Sequence, residues 1–68
     1  MNAFGKKVKE VRLVNKLSQQ KLANMAGIEI SQVGRIERGE VNASLSTMDV
    51  IAVALGVLPS ELLRDIGR

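Results

Sequence analysis

Four residues between Ile30 and Arg38 have the spacing of one helical face. That face, opposite Val33 and Ile36, holds Ile30, Ser31, Gly34 and Arg35. If the helix enters the major groove of DNA, Arg35 could donate to O6 and N7 of guanine, and Ile30 could contact a thymine methyl group. Gly34 would let the backbone come close, and Glu29 could accept from N4 of cytosine. The alternatives are that Arg35 contacts a phosphate or water, that glycine at position 34 is tolerated without a role in binding, and that Glu29 is exposed to solvent.

The charge distribution favours a polyanionic partner. The chain has 68 residues and a formal net charge of +3. Residues 1–38 carry eight lysines and arginines against three glutamates, a net of +5, whereas residues 39–68 carry two basic against four acidic residues, a net of −2. A lysine-rich, solvated helix face would give the same asymmetry, so charge alone does not decide between the two interpretations.

Apolar spacing and capping residues predict five short helices and no strand. The predicted helices run from Ala3 to about Asn15, from the N-cap Ser18 to the stop Gly27, from Ile30 to Arg38, from the N-cap Ser44 to the stop Gly56, and from Pro59 to Arg64. Because Ser31 competes with the poorer N-cap Glu29, the third helix has two possible starts. The predicted inward stripe of the fourth helix is Leu45, Met48, Ile51, Ala52 and Leu55. Residues 1–68 are predicted to form one domain.

The residues from Gln19 to Arg38 predict two helices that meet across a tight turn. Ala23 is small where the third helix must cross the second, and Gly27 can adopt the left-handed conformation that turns the chain. The predicted apolar seam between the two helices consists of Leu22, Ala26, Ile28, Val33 and Ile36. A helical hairpin with a purely structural role is the alternative, but it would not need alanine and glycine four residues apart.

These fragments, in their order and spacing, resemble the lambda-repressor-like (Cro/repressor, Xre-type) helix-turn-helix DNA-binding family. The matching fragments include Val8–Arg12, Leu17–Ala23, Ala26–Ile28, Ile36–Gly39, Ser44–Met48, Ile51–Val57 and Leu62–Leu63. The resemblance covers essentially the whole chain. It implies a compact all-α domain of five helices, in which the second and third helices form the helix-turn-helix and the third lies in the major groove.

The resemblance also implies roles for individual residues outside the third helix. Gln19 would contact a DNA phosphate together with backbone amides at the start of the second helix. Ser18, Arg38 and Asn42 are further candidates for backbone contacts. Arg12 and Glu37 match an ion pair that joins the first helix to the end of the third, and two independent surface charges are the alternative reading.

An apolar surface in the C-terminal third predicts a homodimer. Val50 and Val53 lie away from the predicted inward stripe, at positions where the family tends to carry lysine or another polar residue. Leu58, Pro59 and Ile66 extend this surface, which a small monomer would be expected to avoid. Scattered exposed apolar residues of no significance are the alternative. A dimer would bind an inverted repeat with half-sites about 34 Å apart.

Composition excludes several other classes of protein. The chain has no cysteine and no histidine, so it lacks disulfides and the usual zinc ligands, and an enzyme, a metal site or a cofactor is not expected. The apolar run from Val50 to Leu58 is too short to span a bilayer, and residues 1–9 do not resemble a signal peptide, which predicts a cytoplasmic protein. Phe4 is the only aromatic residue, which argues against base stacking on single strands or RNA.

The function predicted from these features is sequence-specific binding of double-stranded DNA by a dimeric transcription regulator. A repressor, an activator, a restriction–modification controller and an antitoxin-type autoregulator would share this domain. The alternative is a protein-interaction module that uses the same fold to bind a toxin or another protein. No small-molecule ligand is evident.

Overall fold

The computed structural model describes residues 3–41 and 43–63, and these residues form helices and connecting turns without a strand. The helices are α1 (Ala3–Val14), α2 (Gln19–Ala26), α3 (Ile30–Glu37), α4 (Leu45–Leu55) and α5 (Pro59–Leu63). The predicted all-α fold of five helices is confirmed for this part of the chain. Arg64, the predicted end of α5, lies outside the described residues.

The helix ends follow from their capping residues. The Ser18 hydroxyl accepts a hydrogen bond from the Lys21 amide at 3.0 Å, and the Ser44 hydroxyl accepts one from the Thr47 amide at 3.2 Å. Gly27 ends α2 in the left-handed conformation, with φ of 73°, where glycine is favoured because it has no Cβ. α3 begins after Glu29, whose side chain makes no capping bond. Of the two predicted starts of α3, the structure therefore has the one after Glu29.

The core is built from one face of each helix. Its buried apolar residues are Phe4, Val8, Leu22, Ala23, Val33, Ile36, Ile51, Ala52, Leu55 and Leu62. α2 packs against both α3 and α4, whereas α5 closes the other end against α1 and α4. α3 therefore has one side in the core and the other in solvent.

The predicted inward stripe of α4 is wrong at its first member. Leu45 is 81% exposed, whereas Ile51, Ala52 and Leu55 are buried and Met48 is half-buried against the core. The reason is position: Leu45 is the first residue of α4, next to the N-cap Ser44, and lies beyond the part of the helix that the core covers. Within residues 3–41 and 43–63, no helix has both the length and the apolar character needed to cross a bilayer.

The turn between α1 and α2 contains a strained residue that the sequence does not signal. Lys16 has φ of 59°, in the left-handed region where a side chain costs roughly 1–2 kcal/mol. The Leu17 amide donates to the Arg12 carbonyl at 3.0 Å, which closes the end of α1 around this residue. Glycine is the usual residue at such a position.

Lys16→Gly is expected to raise the free energy of unfolding by about 0.5–1 kcal/mol, because relief of the strain exceeds the entropy that glycine adds to the unfolded chain. Urea unfolding measures this difference. Asn15→Gly is the matched control, since Asn15 does not have a positive φ and its side chain donates to the Val11 carbonyl at 3.0 Å; it should lower stability. A loss of stability in Lys16→Gly would contradict the role assigned to this turn.

Candidate nucleic-acid interface

α2 and α3 form a tightly packed pair joined by a short turn. Leu22 and Ala23 on α2 are fully buried, and Val33 and Ile36 on α3 are nearly so. The Ile28 amide donates to the Ala23 carbonyl at 3.0 Å, across the left-handed residue that ends α2. The buried side of α3 is therefore fixed against α2, and the opposite side remains available.

A buried ion pair ties the end of α3 to the rest of the domain. Arg12 Nε donates to Glu37 Oε2 at 2.7 Å and Arg12 Nη2 donates to Glu37 Oε1 at 3.0 Å. Arg12 is 7% exposed and Glu37 is 2% exposed. The hydrogen bond to Glu37 raises the pKa of Arg12 above its ordinary value, against the opposing effect of burial. The structure thus brings together the two residues that the family resemblance paired.

Two further hydrogen bonds extend this pair into a network. Arg12 Nη1 donates to the Leu17 carbonyl at 2.8 Å, and Gln19 Nε2 donates to Glu37 Oε1 at 3.1 Å. In the described part of the chain no buried side-chain nitrogen or oxygen lacks a partner. The network joins α1, the α1–α2 turn, α2 and α3. Gln19, the predicted phosphate contact, is therefore half-buried and already bonded to Glu37 in the free protein.

Four of the five predicted base-reading residues lie on the exposed side of α3 or at its start. Glu29, Ile30, Ser31 and Arg35 are exposed. The guanidinium of Arg35 makes no hydrogen bond or ion pair with another described residue. The described residues therefore leave its donors open to a ligand, as the bidentate contact with guanine would require.

Gly34, the fifth, is buried. A Cβ at this position would lie 3.0 Å from Arg38 Nη1 and 3.7 Å from Gln19 Oε1. Two polar side chains therefore cover the α3 backbone where a close approach to DNA was predicted. The small size of Gly34 makes room for the guanidinium of Arg38.

The residues predicted to contact the DNA backbone differ in the hydrogen bonds that they make within the protein. Ser18 is exposed, and its hydroxyl caps α2. Arg38 is exposed, and its Nε donates to Glu40 Oε2, with a longer contact of 3.5 Å from Nη2 to Oε1. Hydrogen bonding by Arg38 lowers the pKa of Glu40. Asn42 lies outside the described residues. Sequence reasoning missed Glu40, because residues two apart in sequence do not face each other on a helix and only a turn can bring them together.

The predicted dimer surface is partly described. Val53 is 73% exposed and Leu58 is 64% exposed. Val50 is exposed to a lesser degree, and Pro59 is half-buried. Ile66 lies outside the described residues. The two valines lie on the outer side of α4, away from its buried residues.

Comparisons with known proteins identify the family. The family described as helix-turn-helix, HTH_3, matches residues 8–62. Control protein C.BamHI from Bacillus amyloliquefaciens is 43% identical over 61 residues, covering 88% of this chain and 75% of that protein. Control protein C.SmaI from Serratia marcescens is 39% identical over 56 residues, covering 82% and 67%. The immunity repressor protein of Bacillus phage phi105 is 39% identical over 61 residues, but the match covers only 42% of that repressor.

Solved structures agree with these relatives. The restriction–modification controller protein C.AhdI from Aeromonas hydrophila superposes with a TM-score of 0.87 at 42% identity, covering 88% of this chain and 91% of that one. A chain of the SinR protein/SinI protein complex also superposes with a TM-score of 0.87, at 28% identity, over 93% of this chain and 62% of that one. The predicted resemblance is confirmed, and the chain belongs to the HTH_3 helix-turn-helix family.

Proposed function

We propose that this protein is a transcription regulator that binds double-stranded DNA through α3, and that it is not an enzyme. The observation that carries the proposal is the division of α3 into two sides. One side is buried against α2 and held by Glu37, whereas the other exposes Arg35, whose donors no other described residue occupies. Because the backbone of α3 is already fixed in this way, only the side chains that enter the groove have to be ordered on binding.

Among the regulatory roles, a controller of the restriction–modification type is the best supported. Two of the relatives are named control proteins, and C.AhdI is a restriction–modification controller. The matches cover 75% and 67% of the two control proteins and 91% of the C.AhdI chain, against 42% of the phage repressor. Likeness to the controllers therefore extends over most of their length.

On DNA, Arg35 is proposed to donate to O6 and N7 of guanine, and Ile30 to contact a thymine methyl group. Glu29 and Ser31 lie at the start of α3, within reach of neighbouring base edges. The backbone amides at the start of α2, next to Ser18 and Gln19, would bind a phosphate. The hydrogen-bond network around Glu37 would hold α2 and α3 so that the base contacts and the phosphate contact can form together.

Selection of bound sequences from random duplex DNA tests this function. The expected result is enrichment of one motif, arranged as an inverted repeat with half-sites about one helical turn apart. Recovery of no motif, together with no binding to any duplex, would contradict the proposal and would favour a protein-interaction module.

A homodimer is proposed for the bound form. Val50, Val53 and Leu58 provide exposed apolar side chains on α4 and after it. Burying them between two copies would stabilise a small domain and place two α3 helices in successive major grooves.

Sedimentation equilibrium on the wild type and on Val53→Lys tests the dimer. We expect Val53→Lys to weaken dimerisation at least tenfold, because a buried lysine would lose its hydration without gaining a partner. Leu13→Lys, which changes an exposed apolar residue on α1, is the matched control and should dimerise as the wild type does. A wild type that stays monomeric at high micromolar concentration and protects one half-site would contradict the dimer.

A further inference from the structure

The turn directly after α3 holds Arg38 and Glu40 in a pair. The Glu40 amide donates to the Arg35 carbonyl at 2.9 Å, and the Gly39 amide donates to the Ile36 carbonyl at 3.0 Å. Gly39 has φ of 74°, and this left-handed turn reverses the chain directly after α3. The turn brings the side chains of Arg38 and Glu40 together, although they are only two residues apart.

The pair uses the donors that Arg38 would offer to DNA. Nε and Nη2 of Arg38 form the edge of the guanidinium that can bind two oxygens at once. Nε donates to Glu40 Oε2, and Nη2 makes a longer contact, 3.5 Å, with Glu40 Oε1. The remaining Nη1 lies over Gly34, 3.0 Å from where a Cβ would stand. A phosphate offers the same pair of oxygens as a carboxylate. Glu40 and a phosphate therefore compete for one edge of Arg38.

The pair also lies in the proposed interface. The side chains of Arg38 and Gln19 both lie over Gly34, and Gln19 is the first residue of α2. Arg35 is one turn before Arg38 on α3, and its charge acts on Glu40 as well. The Arg38–Glu40 pair therefore lies beside the residues that are proposed to contact DNA.

Building on the proposed function, we propose that Glu40 is an intramolecular competitor of DNA phosphate. In the free protein its carboxylate occupies the bidentate edge of Arg38, and a duplex must displace it to gain this contact. The competition lowers affinity for all duplex DNA, because the phosphate contacts are independent of sequence. It thereby limits binding at sites where contacts with the bases do not compensate for this loss of affinity.

The test compares wild type, Glu40→Gln and the matched control Glu10→Gln on the selected duplex and on a scrambled duplex, by fluorescence anisotropy at several salt concentrations. Both substitutions remove one negative charge, but Glu10 is exposed on α1. We expect Glu40→Gln to bind both duplexes about two- to five-fold more tightly, the range of an exposed ion pair. Its plot of log affinity against log salt should keep nearly the wild-type slope, because the contact between Arg38 and phosphate forms in both complexes. Glu10→Gln should match the wild type.

A second pair of variants shows whether Arg38 is the group released. In an Arg38→Gln background, adding Glu40→Gln should change neither the affinity nor the salt slope. An undiminished gain in that background would overturn the proposal, because the carboxylate would then repel DNA directly. Equal affinities of wild type and Glu40→Gln would overturn it alone, whereas a wild type that binds no duplex would overturn the proposed function with it.

Discussion

Removing either partner of the buried Arg12–Glu37 pair is expected to cost about 3–5 kcal/mol of unfolding free energy. In Arg12→Met, the carboxylate of Glu37 would stay 2% exposed and keep only the hydrogen bond from Gln19. At about 0.05–0.15 kcal/mol per residue, a domain of 68 residues has about 3–10 kcal/mol of stability in total, so the loss would remove about a third of it or more. Urea or thermal unfolding measures it.

The double variant Arg12→Met, Glu37→Met should lose less stability than the sum of the single variants, since neither charge is then stranded. Arg38→Met is the matched control. It also removes a guanidinium paired with a glutamate, but that pair is exposed, and its loss should be within about 1 kcal/mol. Additive effects below 1 kcal/mol for Arg12 and Glu37 would mean that the network does not hold α3 in place.

The pH dependence of this stabilisation has a definite sign. The hydrogen bond to Glu37 raises the pKa of Arg12, so the contribution of Arg12 is fully present below the pKa of an unfolded arginine. It is lost only as the pH rises through the still higher value in the folded protein. Alkaline pH in the ordinary range therefore leaves the arginine side of the pair intact.

Arg35→Ala is expected to cost about 1–3 kcal/mol of binding free energy on the selected duplex and to relax preference at one base position. The physical reason is the loss of two donors that match guanine O6 and N7 and that no described residue occupies. Folding stability should change by less than about 0.5 kcal/mol, because Arg35 is exposed. Binding to a panel of single-base variants of the selected duplex measures the change.

Replacing the contacted guanine with 7-deazaguanine, which lacks the N7 acceptor, should weaken the wild type but add little to Arg35→Ala. Arg38→Ala is the comparison, because a phosphate contact weakens binding to every duplex by a similar factor. If Arg35→Ala also weakened all duplexes equally, Arg35 would be a phosphate contact and its base-reading role would be wrong.

The helices could be predicted from the sequence because their ends depend on local chemistry. Ser18 and Ser44 begin helices through their own hydroxyl groups, and Gly27 ends one through its backbone freedom. Leu45 was misplaced because apolar periodicity cannot tell how far a core extends along a helix. Lys16 was not predicted because its left-handed backbone is imposed by the fold around it.

The site was only partly predictable for a similar reason. Arg35 could be assigned to an exposed face from helical spacing alone. Arg12 and Glu37 are 25 residues apart, and only the family resemblance paired them, since spacing carries no information about contacts between distant helices. The covering of Gly34 by Arg38 depends on the turn after α3, which positions side chains that no periodic pattern relates.

The most direct test of the central claim is a titration of the wild-type protein with the selected duplex and a scrambled duplex over a series of salt concentrations. The predicted result is at least about 10³-fold tighter binding to the selected duplex at physiological salt. Log affinity should fall linearly with log salt on both duplexes, by about 0.9 for each phosphate contacted. Equal affinity for the two duplexes, or affinity that does not change with salt, would contradict the account of α3 as a helix that reads DNA in the major groove.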